Sequence, residues 1–263
     1  MPTILDEIVA HKRIEIDAAK KRVAESLLVT ECQNQPQRGD FLQAILDDPE
    51  VSLIAEVKKA SPSKGLIRAD FEPVKIARQY AEHGATCISV LTDENYFQGH
   101  LDFLRSISNA IATPLLRKEF VVDPYQVYEA KASGASAVLL IAECLEPESL
   151  KELHDLIVYL EMTPLVEFHE RKNLDMCLEC GAKLIGVNNR NLNTFETDLD
   201  HVIQMRTRIP DDRIVVAESG IFTFDDVKKI RDANIQAMLV GESLMRQEDV
   251  GKAVSDLLGR TGR

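Results

Sequence analysis

Along this chain, short apolar runs rich in β-branched residues alternate with longer segments whose apolar positions recur at helical spacing. From residue 51 onward the runs are 51–57, 86–91, 114–120, 137–142, 163–168, 183–188, 213–219 and 236–241. Segments such as 73–83, 124–133, 147–160 and 225–233 separate them and carry the spacing of amphipathic helices. Strands that alternate with helices form a parallel sheet with the helices outside. Gly84-Ala85, Gly134-Ala135 and Gly181-Ala182 stand just before the next strand, where a glycine ends a helix and a small residue lets the chain pack closely.

An open, doubly wound sheet is the main rival, and it usually announces itself by a glycine fingerprint after its first strand. Neither GxGxxG nor GxxxxGK[ST] occurs. The expected architecture is therefore a single (β/α)8 TIM barrel of class α/β, one domain over residues 1–263. Residues 1–46 form an N-terminal helical extension and lead-in: 4–28 reads as one amphipathic helix, and 30–38, with its Gln, Asn and Pro, as a connector. The chain ends soon after the eighth unit, which leaves no length for a second domain.

Composition narrows the partners. Hydrophobic residues make up 45% and charged residues 28%, as in ordinary globular proteins. With 31 Lys and Arg against 43 Asp and Glu, the net charge is −12, so nucleic acid and anionic membranes are poor partners. A small anionic substrate must instead be drawn in by a local basic cluster, for which Lys58, Lys59, Lys64, Lys118 and Arg190 are candidates. Residues 1–7 lack the basic and then apolar run of a secretory signal, and no window reaches membrane-spanning length, so a cytoplasmic location is expected. The five cysteines are scattered, which argues against a disulfide framework. Cys177 and Cys180 form a CxxC, but without a second pair or a His at ligand spacing they read as structural.

Barrel enzymes keep their chemistry at the C-terminal ends of the strands. The first run ends Glu56-Val57-Lys58, and a period of two puts Glu56 and Lys58 on one face. Lys118 closes the third strand, Glu167 the fifth, Asn188 the sixth and Glu218-Ser219-Gly220 the seventh. One such residue has an easy structural explanation, whereas charged or amide groups from five strands converging on one mouth do not. Ser219-Gly220-Ile221 and Val240-Gly241-Glu242-Ser243 follow the last two strands, the usual phosphate corner of a barrel. All six histidines fall in helical or loop patterns, His169 at the rim, which argues against a His–metal centre or a Ser-His-Asp system. What remains is acid and base chemistry by Lys and Glu, with no metal or organic cofactor.

At these residues the sequence resembles indole-3-glycerol-phosphate synthase. The motifs are Ile54-Ala55-Glu56-Val57-Lys58 with Ser61-Pro62-Ser63, Arg117-Lys118-Glu119-Phe120, Val166-Glu167, Gly186-Val187-Asn188-Asn189-Arg190, Ala217-Glu218-Ser219-Gly220-Ile221 and Val240-Gly241-Glu242-Ser243-Leu244-Met245-Arg246, with Ser89–Asp93 and Tyr96-Phe97-Gln98-Gly99 between them. Together with the leading helix they account for the chain in order. The resemblance implies ring closure, decarboxylation and dehydration of 1-(2-carboxyphenylamino)-1-deoxyribulose 5-phosphate to indole-3-glycerol phosphate, a step of tryptophan biosynthesis. It makes Lys118 the general acid of ring closure and Glu167 the group serving the proton transfers of dehydration. Glu56 would position the charged network, and Lys58 would reach a carboxylate or phosphate and share acid work. Asn188, Glu218 and Ser219 would hydrogen-bond substrate hydroxyls and carboxylate, and Phe97 and Phe120 would pack the anthranilate ring. Ser61, Arg190, Gly220, Gly241 and Glu242 complete the substrate-binding set.

The chemistry also favours a lysine whose pKa is lowered by burial and by a neighbouring ammonium, so Lys58 and Lys118 are expected to depress one another. Two rivals stay open. One is another phosphosugar barrel enzyme such as phosphoribosylanthranilate isomerase, expected to place a Cys and an Asp where this chain has Glu56 and Lys58. The other is a noncatalytic barrel that keeps a phosphate site.

Overall fold

The computed structural model describes residues 3–36, 38–191 and 194–260. Residues 1 and 2 of the N-terminal segment, Gln37 of the expected connector and the last residues of the expected domain lie outside the described residues.

Eight strands close into a parallel barrel: β1 (Ser52–Val57), β2 (Cys87–Leu91), β3 (Leu115–Lys118), β4 (Ala137–Ile141), β5 (Thr163–Phe168), β6 (Leu184–Asn188), β7 (Ile214–Glu218) and β8 (Ala237–Val240). Each pairs with its neighbours in sequence, and β1 closes on β8 with Ser52 opposite Ala237 and Ala55 opposite Val240. Every strand matches an expected run, trimmed by a residue or two where pairing stops. The helices α4 (Pro73–Glu82), α5 (Leu101–Ala110), α6 (Pro124–Ala132), α7 (Pro147–Tyr159), α8 (Leu174–Glu179), α9 (Asp200–Arg206), α10 (Phe224–Asp232), α11 (Glu242–Met245) and α12 (Val250–Leu257) follow in alternation. Gly84, Gly134 and Gly181 end α4, α6 and α8 at positive φ, the conformation that costs glycine nothing.

Alternate residues of the strands face two apolar layers. One set, including Leu53, Val90, Val138, Val166 and Val215, meets the surrounding helices. The other, including Ile54, Leu116, Leu139, Leu165, Leu184, Val216 and Leu239, fills the barrel interior. Polar side chains enter this interior at the C-terminal strand ends, so the packed layers below form the floor of whatever site lies there.

The N-terminal extension differs from expectation. In place of one helix and a connector there are three helices, α1 (Ile4–Arg22), α2 (Glu25–Asn34) and α3 (Phe41–Asp47). The break falls at Val23 and Ala24, both in extended conformation, after a last turn of Lys20, Lys21 and Arg22. Residues 30–34, read as connector, remain helical because Leu28 and Cys32 bury against Tyr125 and Ala132 of α6, a contact that outweighs the weak helix propensity of Thr and Asn. α3 plugs the lower end of the barrel: Phe41 and Ile45 are buried with the interior layer, and Ser52 Oγ donates to Ile45 O at 3.2 Å. α1 lies across the opposite end, with Ile8 buried in the same interior cluster. Among the described residues no helix is long and apolar enough to cross a membrane. Cys177 and Cys180 are buried free thiols, and Cys180 Sγ donates to Cys177 O at 3.2 Å.

Candidate active site

The strand ends deliver their polar residues to one cavity at the C-terminal mouth. Glu56, Lys58, Ser61, Phe97, Lys118, Phe120, Glu167, Asn188, Arg190, Glu218, Ser219, Gly220, Gly241 and Glu242 all line it. The register explains the convergence. Glu167 and Gly186 are paired across β5 and β6, and Asn188 and Glu218 across β6 and β7, so side chains two residues apart on neighbouring strands meet at one height.

Lys118 is the hub. Its Nζ lies 2.7 Å from Glu167 Oε2 and 2.6 Å from Glu218 Oε2. Asn188 Nδ2 donates to the other oxygen of Glu167 at 2.9 Å, while Asn188 Oδ1 accepts the backbone N–H of Arg190 at 3.0 Å. His169 sits outside the cavity, yet its Nδ1 lies 2.7 Å from the Asn188 carbonyl; a carbonyl only accepts, so Nδ1 carries the proton. Lys58 is paired separately, 2.5 Å from Glu56 Oε2.

This pairing overturns the expectation that Lys58 and Lys118 depress one another. Burial alone would lower the Lys118 pKa, but Glu167, Glu218 and Glu56 together outweigh it and hold the ammonium well above its ordinary range. The same contacts keep Glu167 ionised: burial opposes its charge, and Lys118 and Asn188 more than compensate. Glu218 goes the other way, because burial and then the charge of Glu167 push its carboxyl up to about 8.

The glycines of the mouth serve space as well as backbone approach. A Cβ on Gly241 would collide with the Glu56 carboxylate, and one on Gly186 with that of Glu218. Ser219 and Gly220 both have left-handed backbones, φ 67° and 78°. In serine that conformation stores strain of about 1–3 kcal/mol, a cost met where a site dictates the backbone. After β8, Glu242 is 3.4 Å from Arg190 Nη2, 3.1 Å from Arg246 Nε and 3.9 Å from Lys64 Nζ. Of the basic candidates, Lys58, Lys118 and Arg190 line the cavity, and Lys59 and Lys64 do not. Phe97 and Phe120 form a tilted pair with centroids 6.0 Å apart.

Part of the wall was not anticipated. Ile4, Leu5 and Ile8 of α1 roof the cavity, Leu139, Ile141 and Leu239 floor it, and Phe195 and Phe222 stand at its rim. The amphipathic pattern of α1 signalled an apolar face without showing what that face would cover. Phe195 and Phe222 are 39% and 61% exposed, and nothing in their local sequence distinguishes them from loop aromatics.

A closed barrel whose mouth joins two lysines, five glutamates and an apolar slot, beside glycine-bearing loops, defines a class: an acid–base enzyme for a small, partly apolar anion. Comparison with known proteins narrows it. Residues 5–257 match the family model described as Indole-3-glycerol phosphate synthase, and the chain belongs to that family. The indole-3-glycerol phosphate synthase of Polaromonas sp. (strain JS666) is 47% identical over 98% of this chain and 99% of its own. That of Rhodopirellula baltica is 49% identical over 97% and 99%. Among solved structures, a 3-hexulose-6-phosphate synthase superposes with a TM-score of 0.65 at 12% identity, covering 80% of this chain and 99% of that one, a likeness of fold alone.

Proposed function

We propose that this chain converts 1-(2-carboxyphenylamino)-1-deoxyribulose 5-phosphate into indole-3-glycerol phosphate, carbon dioxide and water, acting as a single-domain cytoplasmic enzyme. The observation that carries the reading is the Lys118 ammonium held between Glu167 and Glu218 inside a cavity with an apolar roof. In the first step the ring carbon bearing the carboxylate attacks the substrate ketone, and the ketone oxygen takes a proton from Lys118. Loss of carbon dioxide returns its bonding electrons to the ring. Departure of the new hydroxyl as water, assisted by a cation and by a base that removes a proton from the adjacent carbon, completes the indole.

The site suits these demands. Lys118 and Glu167 are in direct contact, so a proton donated and a proton removed belong to one hydrogen-bonded unit. Lys58, with Glu56 beside it, stands ready for the substrate carboxylate or the departing hydroxyl. Phe97 and Phe120 with the α1 residues exclude water from the aromatic ring, and backbone groups around Gly220 and Gly241, with Ser61 and Arg190, take the phosphate. Glu242 repels phosphate through its carboxylate, so its part is to hold Arg190 in place. Every step is a proton or carbon-bond rearrangement, and none calls for an electron sink.

The sequence contains no Trp, so indole emission has no background. Adding the synthetic substrate to folded protein should produce a rising indole fluorescence, unaffected by exhaustive chelation. A flat trace would reject the assignment.

A further inference from the structure

The two glutamates that hold Lys118 are not equivalent. Glu167 receives an N–H donor on each oxygen, Lys118 on Oε2 and Asn188 on Oε1. The Asn188 amide cannot be turned around, because its Oδ1 already accepts the backbone N–H of Arg190, which can only donate. With donors on both oxygens, Glu167 is a carboxylate.

Glu218 has one such donor, Lys118 on Oε2 at 2.6 Å. Its Oε1 is buried without a hydrogen-bond partner among the described residues, in the recess above Gly186 that a Cβ would fill. A charged oxygen there, shut off from bulk solvent and with no donor among the described residues, is uncompensated, and such a charge is resolved most cheaply by taking a proton. The charges facing it point the same way. Among the described residues Lys118 from β3 is the one cation in contact, Glu167 from β5 already shares it, Glu56 from β1 adds negative charge and is matched by Lys58, and β6 and β8 present the neutral Asn188 and Leu239.

We propose that Glu218 stands as a neutral carboxylic acid in the resting enzyme, and that its ionisation closes the enzyme's activity on the alkaline side. It is a positioning residue that acts through Lys118. While Glu218 is neutral, the ammonium is bound to a single carboxylate and can give up a proton to the substrate ketone. Once Glu218 ionises, two carboxylates in contact hold that proton on Nζ and repel an anionic substrate. Burial and the negative Glu167 push the Glu218 carboxyl up to about 8, so the change falls in an accessible range.

The kinetic half rests on the proposed reaction, and the structural half does not. Infrared titration of the folded, substrate-free protein should show the carbonyl stretch of a protonated carboxylic acid above about pH 6, where ordinary carboxyls are ionised. It should vanish with a midpoint near 8 and be missing in Glu218→Gln. In the pH profile of kcat, the alkaline limb should move up by at least about one unit in Glu218→Gln, whatever maximal rate that variant retains. A wild-type protein without the band, a band that persists in Glu218→Gln, or an unmoved alkaline limb would overturn the proposal. Should Glu218→Gln fail to fold, the wild-type titration decides alone. The band without indole formation would keep Glu218 protonated and reject the reaction, whereas turnover without the band does the reverse.

Discussion

Two lysines in this barrel, Lys12 and Lys118, are ringed by carboxylates, and of the two Lys118 faces the cavity. Lys12 of α1 lies 2.9 Å from Asp93 Oδ2, 3.0 Å from Glu119 Oε1 and 2.6 Å from Glu15 Oε2, with its side chain 4% exposed. Its partners are otherwise occupied. Asp93 Oδ1 accepts the N–H groups of Tyr96 and Phe97, while Glu119 takes the N–H of Phe120 and the hydroxyl of Thr92. Lys118 has similar distances to its two glutamates, but its ammonium borders the cavity. In both, nearby anions overcome burial and raise the lysine pKa. A raised pKa therefore does not identify the working lysine. What separates the two is open space: Lys118 borders the cavity and Lys12 does not.

The comparison can be broken most forcefully at Lys118. Lys118→Met keeps most of the volume and removes the ammonium, so kcat should fall by about 10²- to 10⁴-fold, the range of a positioned acid. Single-turnover fluorescence reads the chemical step, and a variant that altered KM alone would make Lys118 a binding residue. Lys12→Met should do the converse. It strands Asp93 and Glu119 without their cation, which for a buried pair costs about 3–5 kcal/mol of stability. Denaturant unfolding measures this, and kcat should change far less than in Lys118→Met. Equal losses of kcat would erase the distinction.

A third test uses pH. Glu218 has a folded-state pKa raised to about 8 from 4.5, so the folded state binds the extra proton between those values. Its contribution to stability is complete below 4.5 and is lost as pH rises through 8. Thermal unfolding should show this decline in the wild type and not in Glu218→Gln, and a decline of equal slope in both would place its origin elsewhere. The smallest effect belongs to the surface. Lys252 and Asp256 form an exposed pair one helical turn apart in α12, and Lys252→Ala should change stability by less than about 0.5 kcal/mol.

Strand positions were legible because a buried parallel strand needs a continuous β-branched run, and every run from 51–57 to 236–241 became one. The cavity-lining residues were legible for the same reason: once strand ends are placed, alternation decides which side chains enter the barrel, and Glu56, Lys118, Glu167, Asn188 and Glu218 do so. The break at Val23 was not legible, because α2 is held by contact with α6, about a hundred residues away in sequence. The burial of Lys12 was not legible either, because Asp93 and Glu119, which hold it, lie far from it in sequence. The direction of the Lys118 shift was missed because a sequence places Lys58 and Lys118 at one mouth without showing that glutamates stand between them.

The barrel closes by pairing its first strand with its last, and the roof over its mouth comes from the first helix. A ribosome releases α1 and β1 long before β8 exists. Until Ala237–Val240 emerges, the edge of β1 has no partner on that side and Ile4, Leu5 and Ile8 have no finished cavity to cover. Such long-range closure makes folding slow and leaves a sticky intermediate for as long as synthesis lasts. The arrangement that seals the chemistry from water therefore makes the nascent chain dependent on protection from aggregation until its final strand arrives.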